Sequence, residues 1–125
     1  VIMVAAVVGV ALLGGLAVFQ VSLIAGAPLG RFAWGGQHEV LPTGLRVGSA
    51  VSIVVYGLVA ALLLQVAGAL DVLPRGVADV TIWVLTAYFA VGVLMNAVSR
   101  SRPERLVMTP VALALAVVCL VLALQ

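Results

Sequence analysis

Four stretches of this chain contain no charged residue: 1–30, 47–70, 80–99 and 106–125. A helix that crosses the hydrocarbon core of a bilayer needs about 20 apolar residues in a row, and each stretch supplies them. With no water to satisfy peptide groups in that core, each span must bond its own backbone, which only a helix or a closed barrel does. The six Arg and four acidic residues make up 8% of the chain, where a soluble domain carries about 25% charged residues. Such a chain cannot clothe a globule in polar surface. That excludes a soluble enzyme, a nucleic-acid-binding domain and a disordered protein. The expected fold is all-α: an integral membrane bundle of four transmembrane helices, with residues 1–125 as a single transmembrane domain.

Turn and cap signals place the helices at about 2–27, 46–70, 78–99 and 103–125. The first stops near Pro28. The fourth starts at the capping-box pattern Ser101-x-x-Glu104, with Pro103 inside it, and is expected to bend near Pro110. The chain opens at Val1 within apolar sequence, so a natural N-terminus upstream is expected. Ala25-Gly26-Ala27 mimics a signal-peptidase site, but the run before it is long for a signal core.

Arginine placement orients the bundle. The connections 28–45 and 100–105, with the flanking helix end, hold Arg31, Arg46, Arg100, Arg102 and Arg105, against Arg75 alone in the other connection. By the positive-inside bias, these two connections face the cytoplasm and both termini face out. Abundant Ala, Val, Leu, Gly and Arg with no Lys suit a bacterial inner membrane and a GC-rich genome.

Polar side chains within the spans fall on stripes. Arg46, Ser49, Ser52 and Tyr56 share one face of the second helix, and Thr81, Tyr88, Gly92, Asn96 and Ser99 one face of the third. The first helix adds Gln20 and Ser22, with Gly9 on the Gln20 face. Most of these groups lie toward the arginine-rich end and describe a polar vestibule there. The same stripes are equally those of ordinary helix glue, worth about 1 kcal/mol or less per residue. Gly57 with Ala61, and Ala11 with Gly15, would let helices approach closely. Gln20 and Asn96 stand out, because a primary amide has two donors and two acceptors to satisfy. The fourth helix has little polar beyond Cys119 and is expected to face lipid or to serve packing alone.

The 28–45 link is rich in Gly and aromatics. Arg31 is placed to stack on Trp34 or to hold a lipid phosphate. His38 and Glu39, the one histidine beside an acid, form a candidate acid–base pair. Arg46 heads a polar stripe, where it would bind an anion or pair with Glu39 or Glu104. The Arg100, Arg102, Glu104 and Arg105 cluster sets topology or meets anionic lipid.

A single cysteine excludes the thiol oxidoreductases of the membrane, which need pairs, and one His with one Cys is too thin for a metal site. Small multidrug transporters carry a carboxylate in the first helix, and this first helix has none. The Thr-Phe-Ser-Thr stretch and filter asparagine of fluoride channels are not evident, and proton pumps and rhodopsin-like proteins need buried acids or a lysine. The strings G-A-P-L-G-R-F-A-W-G-G-Q-H-E-V-L-P (26–42), L-M-N-A-V-S-R-S-R-P-E-R (94–105) and M-T-P-V-A-L (108–113) resemble a group of small uncharacterised four-helix inner-membrane proteins of bacteria, mostly actinobacteria. The resemblance implies fold and compartment, and no activity.

The leading expectation is a non-enzymatic membrane protein that binds or passes a small molecule or ion. Its candidate ligand-binding residues are Gln20, Arg31, Trp34, His38, Glu39, Arg46, Tyr56, Tyr88 and Asn96. An accessory subunit of a larger membrane complex is the alternative. A lipid-modifying enzyme using His38 and Glu39 is the third. No cofactor or nucleic acid is implied. The expected partners are membrane lipids, a second copy in a dimer, or another membrane protein.

Overall fold

The computed structural model describes residues 1–125 and contains four long helices: α1 (Ile2–Ile24), α2 (Thr43–Val66), α3 (Arg75–Ala97) and α4 (Arg102–Ala123). Each is long and apolar enough to cross a membrane; 23 residues span about 34 Å at the standard rise. The protein is a multi-pass membrane protein built as a four-helix bundle.

The first two helices end four or so residues sooner than Pro28 and Leu70 suggest, and for one shared reason. Both run into the tripeptide Ala-Gly-Ala. Gly26 (φ 93°) and Gly68 (φ 90°) take the left-handed conformation. The next N–H then bonds back into the last turn, Ala27 to Ser22 O at 3.0 Å and Ala69 to Leu64 O at 2.8 Å. Each glycine N–H bonds Leu23 O and Gln65 O in turn, which completes the Schellman cap. Ala25-Gly26-Ala27 is therefore a helix terminator in the fold. At the other ends, Pro42 and Pro74 stand in extended backbone just before α2 and α3, so both helices start earlier than 46 and 78. At α4 the Ser101 side chain accepts from the Glu104 N–H, and Pro103 sits in the first turn.

Two helical pairs make the bundle. α1 packs on α2, α3 packs on α4, and the pairs meet mainly where α1 touches α4; α2 and α3 make far less contact. Gly9 marks the junction. A Cβ there would lie 2.7 Å from Leu63 Cδ1 and 2.9 Å from Val118 Cγ1, so only glycine lets α1 approach both neighbours. The core continues through Leu13, Leu63, Leu115, Cys119 and Leu122. Ala6, Gly9, Leu13, Gln20 and Leu23 form the inward stripe of α1, at the spacing expected of one helical face.

α4 takes the packing role of the two expected for it. It is the most buried of the four spans, the central strut that touches both pairs. Lack of polar groups does not mark a lipid-facing helix, because membrane interfaces are built from small and apolar residues. The small residues singled out elsewhere face outward: Ala11, Gly15 and Gly57 are exposed, and nothing lies near Gly15 or Gly57.

The 28–45 link folds back over the bundle end. Two single turns of 3-10 helix, Gly30–Phe32 and Trp34–Gly36, carry it. Leu23, Ala33 and Leu41 form a second small core beneath it, and Phe32 meets Phe19 edge to face with centroids 6.5 Å apart. At the opposite end Gln65 clamps the α2–α3 connection: Oε1 accepts from Val72 N–H at 3.0 Å and Leu73 N–H at 2.8 Å, while Nε2 donates to Leu73 O at 2.6 Å.

Candidate functional site

Because α2 and α3 barely meet, a cleft of about 670 Å³ opens between them, with α1 and α4 as its floor. Its walls are mostly apolar, among them Val55, Leu85, Val91 and Met95. Its polar groups are Gln20, Ser52, Tyr56, Tyr88, Asn96 and Glu104. A space of this size bounded by apolar walls and a few convergent polar groups has the character of a small-molecule site.

Gln20 comes from the inward stripe of α1. It is 7% exposed. Nε2 donates to Tyr56 Oη on α2 at 3.2 Å, the one hydrogen bond between side chains of two spans. Oε1 is buried and has no partner. An amide carbonyl withheld from water without a donor is costly, by about 1–3 kcal/mol, so a group of this kind at a cleft wall asks for a ligand donor.

The hydroxyl stripes behave differently. Ser22, Ser52, Thr81 and Thr86 each donate to the carbonyl four residues back in their own helix. Asn96 does the same, Nδ2 to Gly92 O at 2.9 Å. These groups answer to their own backbone and glue no helices together, while Ser52 and Asn96 still line the cleft. Tyr88 stands on the cleft wall, 64% exposed, edge to face against Phe89 at 5.3 Å.

Glu104 is the cleft residue that the sequence pattern hid. It is 8% exposed and lines the cleft. Its carboxyl accepts from Ser99 Oγ at 2.5 Å and from the Gly35 N–H at 3.3 Å, both uncharged donors. The capping-box pattern did locate the helix start. In a full box the acid would reach back to the N-cap amide; here it turns inward to the link and the cleft. The link is pinned at the same point. Ser101 Oγ donates to Arg31 O, and Gly36 (φ 72°) lies where any Cβ would strike the Ser101 side chain. Trp34 holds φ 51°, uncommon outside glycine, and lays its ring against Gly48 of α2, which has no side chain to block it. Trp34 thus forms the cleft wall at this end.

Five of the nine residues singled out in the sequence, Gln20, Trp34, Tyr56, Tyr88 and Asn96, line this cleft; Arg31, His38, Glu39 and Arg46 do not. Arg46 pairs with neither Glu39 nor Glu104; its donors turn to backbone carbonyls. Nε donates to Leu41 O at 2.8 Å and Nη1 to Ile24 O at 3.4 Å. A guanidinium there satisfies the last carbonyl of α1, Ile24 O, and complements the helix dipole. Arg31 lies over Phe32, 5.0 Å from the ring centroid, rather than over Trp34. His38 and Glu39 are exposed. What they contribute to packing is backbone: Gly30 N–H donates to Glu39 O at 2.8 Å, and the His38 carbonyl presses on Gly30, leaving no room for a Cβ.

Comparison with protein families, with curated proteins and with solved structures finds no match to this chain.

Proposed function

We propose that this membrane protein binds, and in a dimer passes, a small membrane-soluble molecule through the α2–α3 cleft. The observation that carries this reading is Gln20 Oε1, a buried acceptor without a donor on the wall of an apolar space of about 670 Å³. The proposed setting is a bacterial inner membrane with the arginine-rich connections cytoplasmic and both termini outside, following the five-to-one arginine bias. In that orientation Gln20, Asn96 and Glu104 lie toward the cytoplasmic end, and the cleft admits its ligand sideways from the bilayer. Four helices enclose little space, so passage across the membrane needs a second copy to close the open side.

Native mass spectrometry from mild detergent tests this. A retained small molecule that Gly92→Leu expels supports it. Gly92 stands on the cleft wall with no atom near its missing Cβ, so a leucine side chain there reaches into the cleft. A ligand-free protein overturns it.

One observation favours a second reading. The edges of α2 and α3 that face each other across the cleft are apolar and make little mutual contact, as they would if a helix of another protein sat between them. An accessory subunit of this kind would be isolated only with its partner chain.

A further inference from the structure

We infer that the cleft selects an amphiphile with a primary ammonium head and a hydrocarbon tail. This rests on the cleft-binding reading above and adds the chemical class. Three observations carry it. The first is the balance of polar groups. Glu104 brings a carboxyl, which is 8% exposed and is held only by the neutral donors Ser99 and Gly35. Gln20 brings an acceptor with no donor. One of the two Asn96 donors is taken by Gly92 O. What this lining lacks is a cation for the carboxyl.

The second is the charge of the lining. It includes one acid and no arginine or histidine. Arg46 and Arg105 turn their donors to the backbone carbonyls of Leu41, Ile24 and Ser99. An anionic head would meet a carboxyl with no cation to offset it, and desolvating like charges together is costly. A hydroxyl head would satisfy Gln20 but leave Glu104 without a counter-charge. A primary ammonium offers three donors and one positive charge, which matches both acceptors.

The third is the shape. Glu104, Asn96 and Gln20 come from the helix ends where α4 begins and α1 and α3 finish, and the remaining walls are mostly side chains such as Val55, Leu85 and Met95. The head goes to Glu104 and Gln20; the tail lies along α2 and α3. Tyr88, exposed on the rim, covers the tail.

An alkylamine and an amine-headed phospholipid share this chemistry. The test uses the whole chain in phosphatidylcholine nanodiscs, in a Trp83→Phe background that leaves Trp34, on the cleft wall, as the only indole. Octylamine, octan-1-ol and octanoate are titrated against its fluorescence, with empty discs as the partition control. Octylamine is expected to bind at least about ten-fold more tightly than octan-1-ol, the worth of a charge-assisted bond. Octanoate is expected to be weakest. Glu104→Gln should abolish the amine's advantage while leaving octan-1-ol within about two-fold, and Gly92→Leu should weaken all three. Equal binding of amine and alcohol, or tightest binding of octanoate, overturns the inference and leaves the cleft-binding reading standing. Failure of every probe overturns both. The wild-type ranking decides the charge preference even if Glu104→Gln does not fold. Repeating the amine titration in phosphatidylethanolamine discs separates the sources: weakening by competition identifies the lipid, and an unchanged affinity identifies a free amine.

Discussion

Gln20 and Tyr56 join α1 to α2 through a single bond, Nε2 to Oη at 3.2 Å, and the bond leaves the other half of the Gln20 amide buried without a donor. The two partners are therefore unequal. Tyr56→Phe strips the amide of its only acceptor and is expected to lower stability by about 1 kcal/mol. Gln20→Leu removes the unsatisfied carbonyl along with the bond, and is expected to be neutral or to stabilise the ligand-free protein by up to about 1 kcal/mol. Unfolding in mixed micelles followed by circular dichroism measures both. If Gln20→Leu destabilises as much as Tyr56→Phe, the Gln20 carbonyl has a partner and the cleft loses its main mark.

The four spans were legible because hydrocarbon admits so few solutions: an uncharged run of this length has to be a helix. The inward stripe of α1 was legible too, since Gly9 and Gln20 share a helical face. Two things were not. In α2 and α3 the Ser52, Thr81 and Thr86 hydroxyls bond the preceding turn of their own helix, so hydroxyl spacing alone does not reveal which helices touch. Glu104 sat among three arginines in the sequence and resembled a solvated turn. Its inward position depends on Gly35, 69 residues away, and no local pattern encodes a contact at that distance. The repeated Ala-Gly-Ala was readable as a pair of caps, since Gly is the residue that takes the left-handed turn after a helix.

Gly9 and Gly57 should respond to alanine in opposite directions. At Gly9 the new Cβ would stand 2.7 Å from Leu63 Cδ1 and 2.9 Å from Val118 Cγ1. Prising α1 from both neighbours is expected to cost about 1–3 kcal/mol. Nothing lies within 4 Å of a Cβ at Gly57, so alanine there gains helix propensity, up to about 1 kcal/mol. Thermal midpoints of the two variants decide the matter. A Gly9→Ala variant as stable as wild type would mean that α1 does not meet α2 and α4 at this point.

Arg46 is expected to matter for stability and not for anions. Its guanidinium holds Leu41 O and Ile24 O at once. Arg46→Met removes both bonds and the charge at the α1 C-terminus, for an expected loss of about 1–2 kcal/mol. Arg46→Lys should recover only part, since an ammonium lacks the planar fork. Calorimetry with inorganic phosphate should give no Arg46-dependent heat. A phosphate isotherm that disappears in Arg46→Met would restore the anion site and remove the capping role.

The pin between the link and α4 should be the most easily opened part of the bundle. Gly36 sits at φ 72°, and a Cβ there would press on Ser101. Gly36→Ala therefore combines an unfavourable backbone region, about 1–2 kcal/mol, with a push against the residue that caps α4 and bonds Arg31. The link would lift, and the Gly35 N–H would leave Glu104. Amide exchange at Gly35 is expected to rise about ten-fold or more, the equivalent of about 1.4 kcal/mol of local stability. Gly44→Ala, with open space around it, should leave that amide unchanged. The lifted link would also uncover the Glu104 end of the cleft, so octylamine should weaken in Gly36→Ala and keep its affinity in Gly44→Ala. Equal exchange at Gly35 in both variants would show that Gly36 and Ser101 do not hold the link to α4.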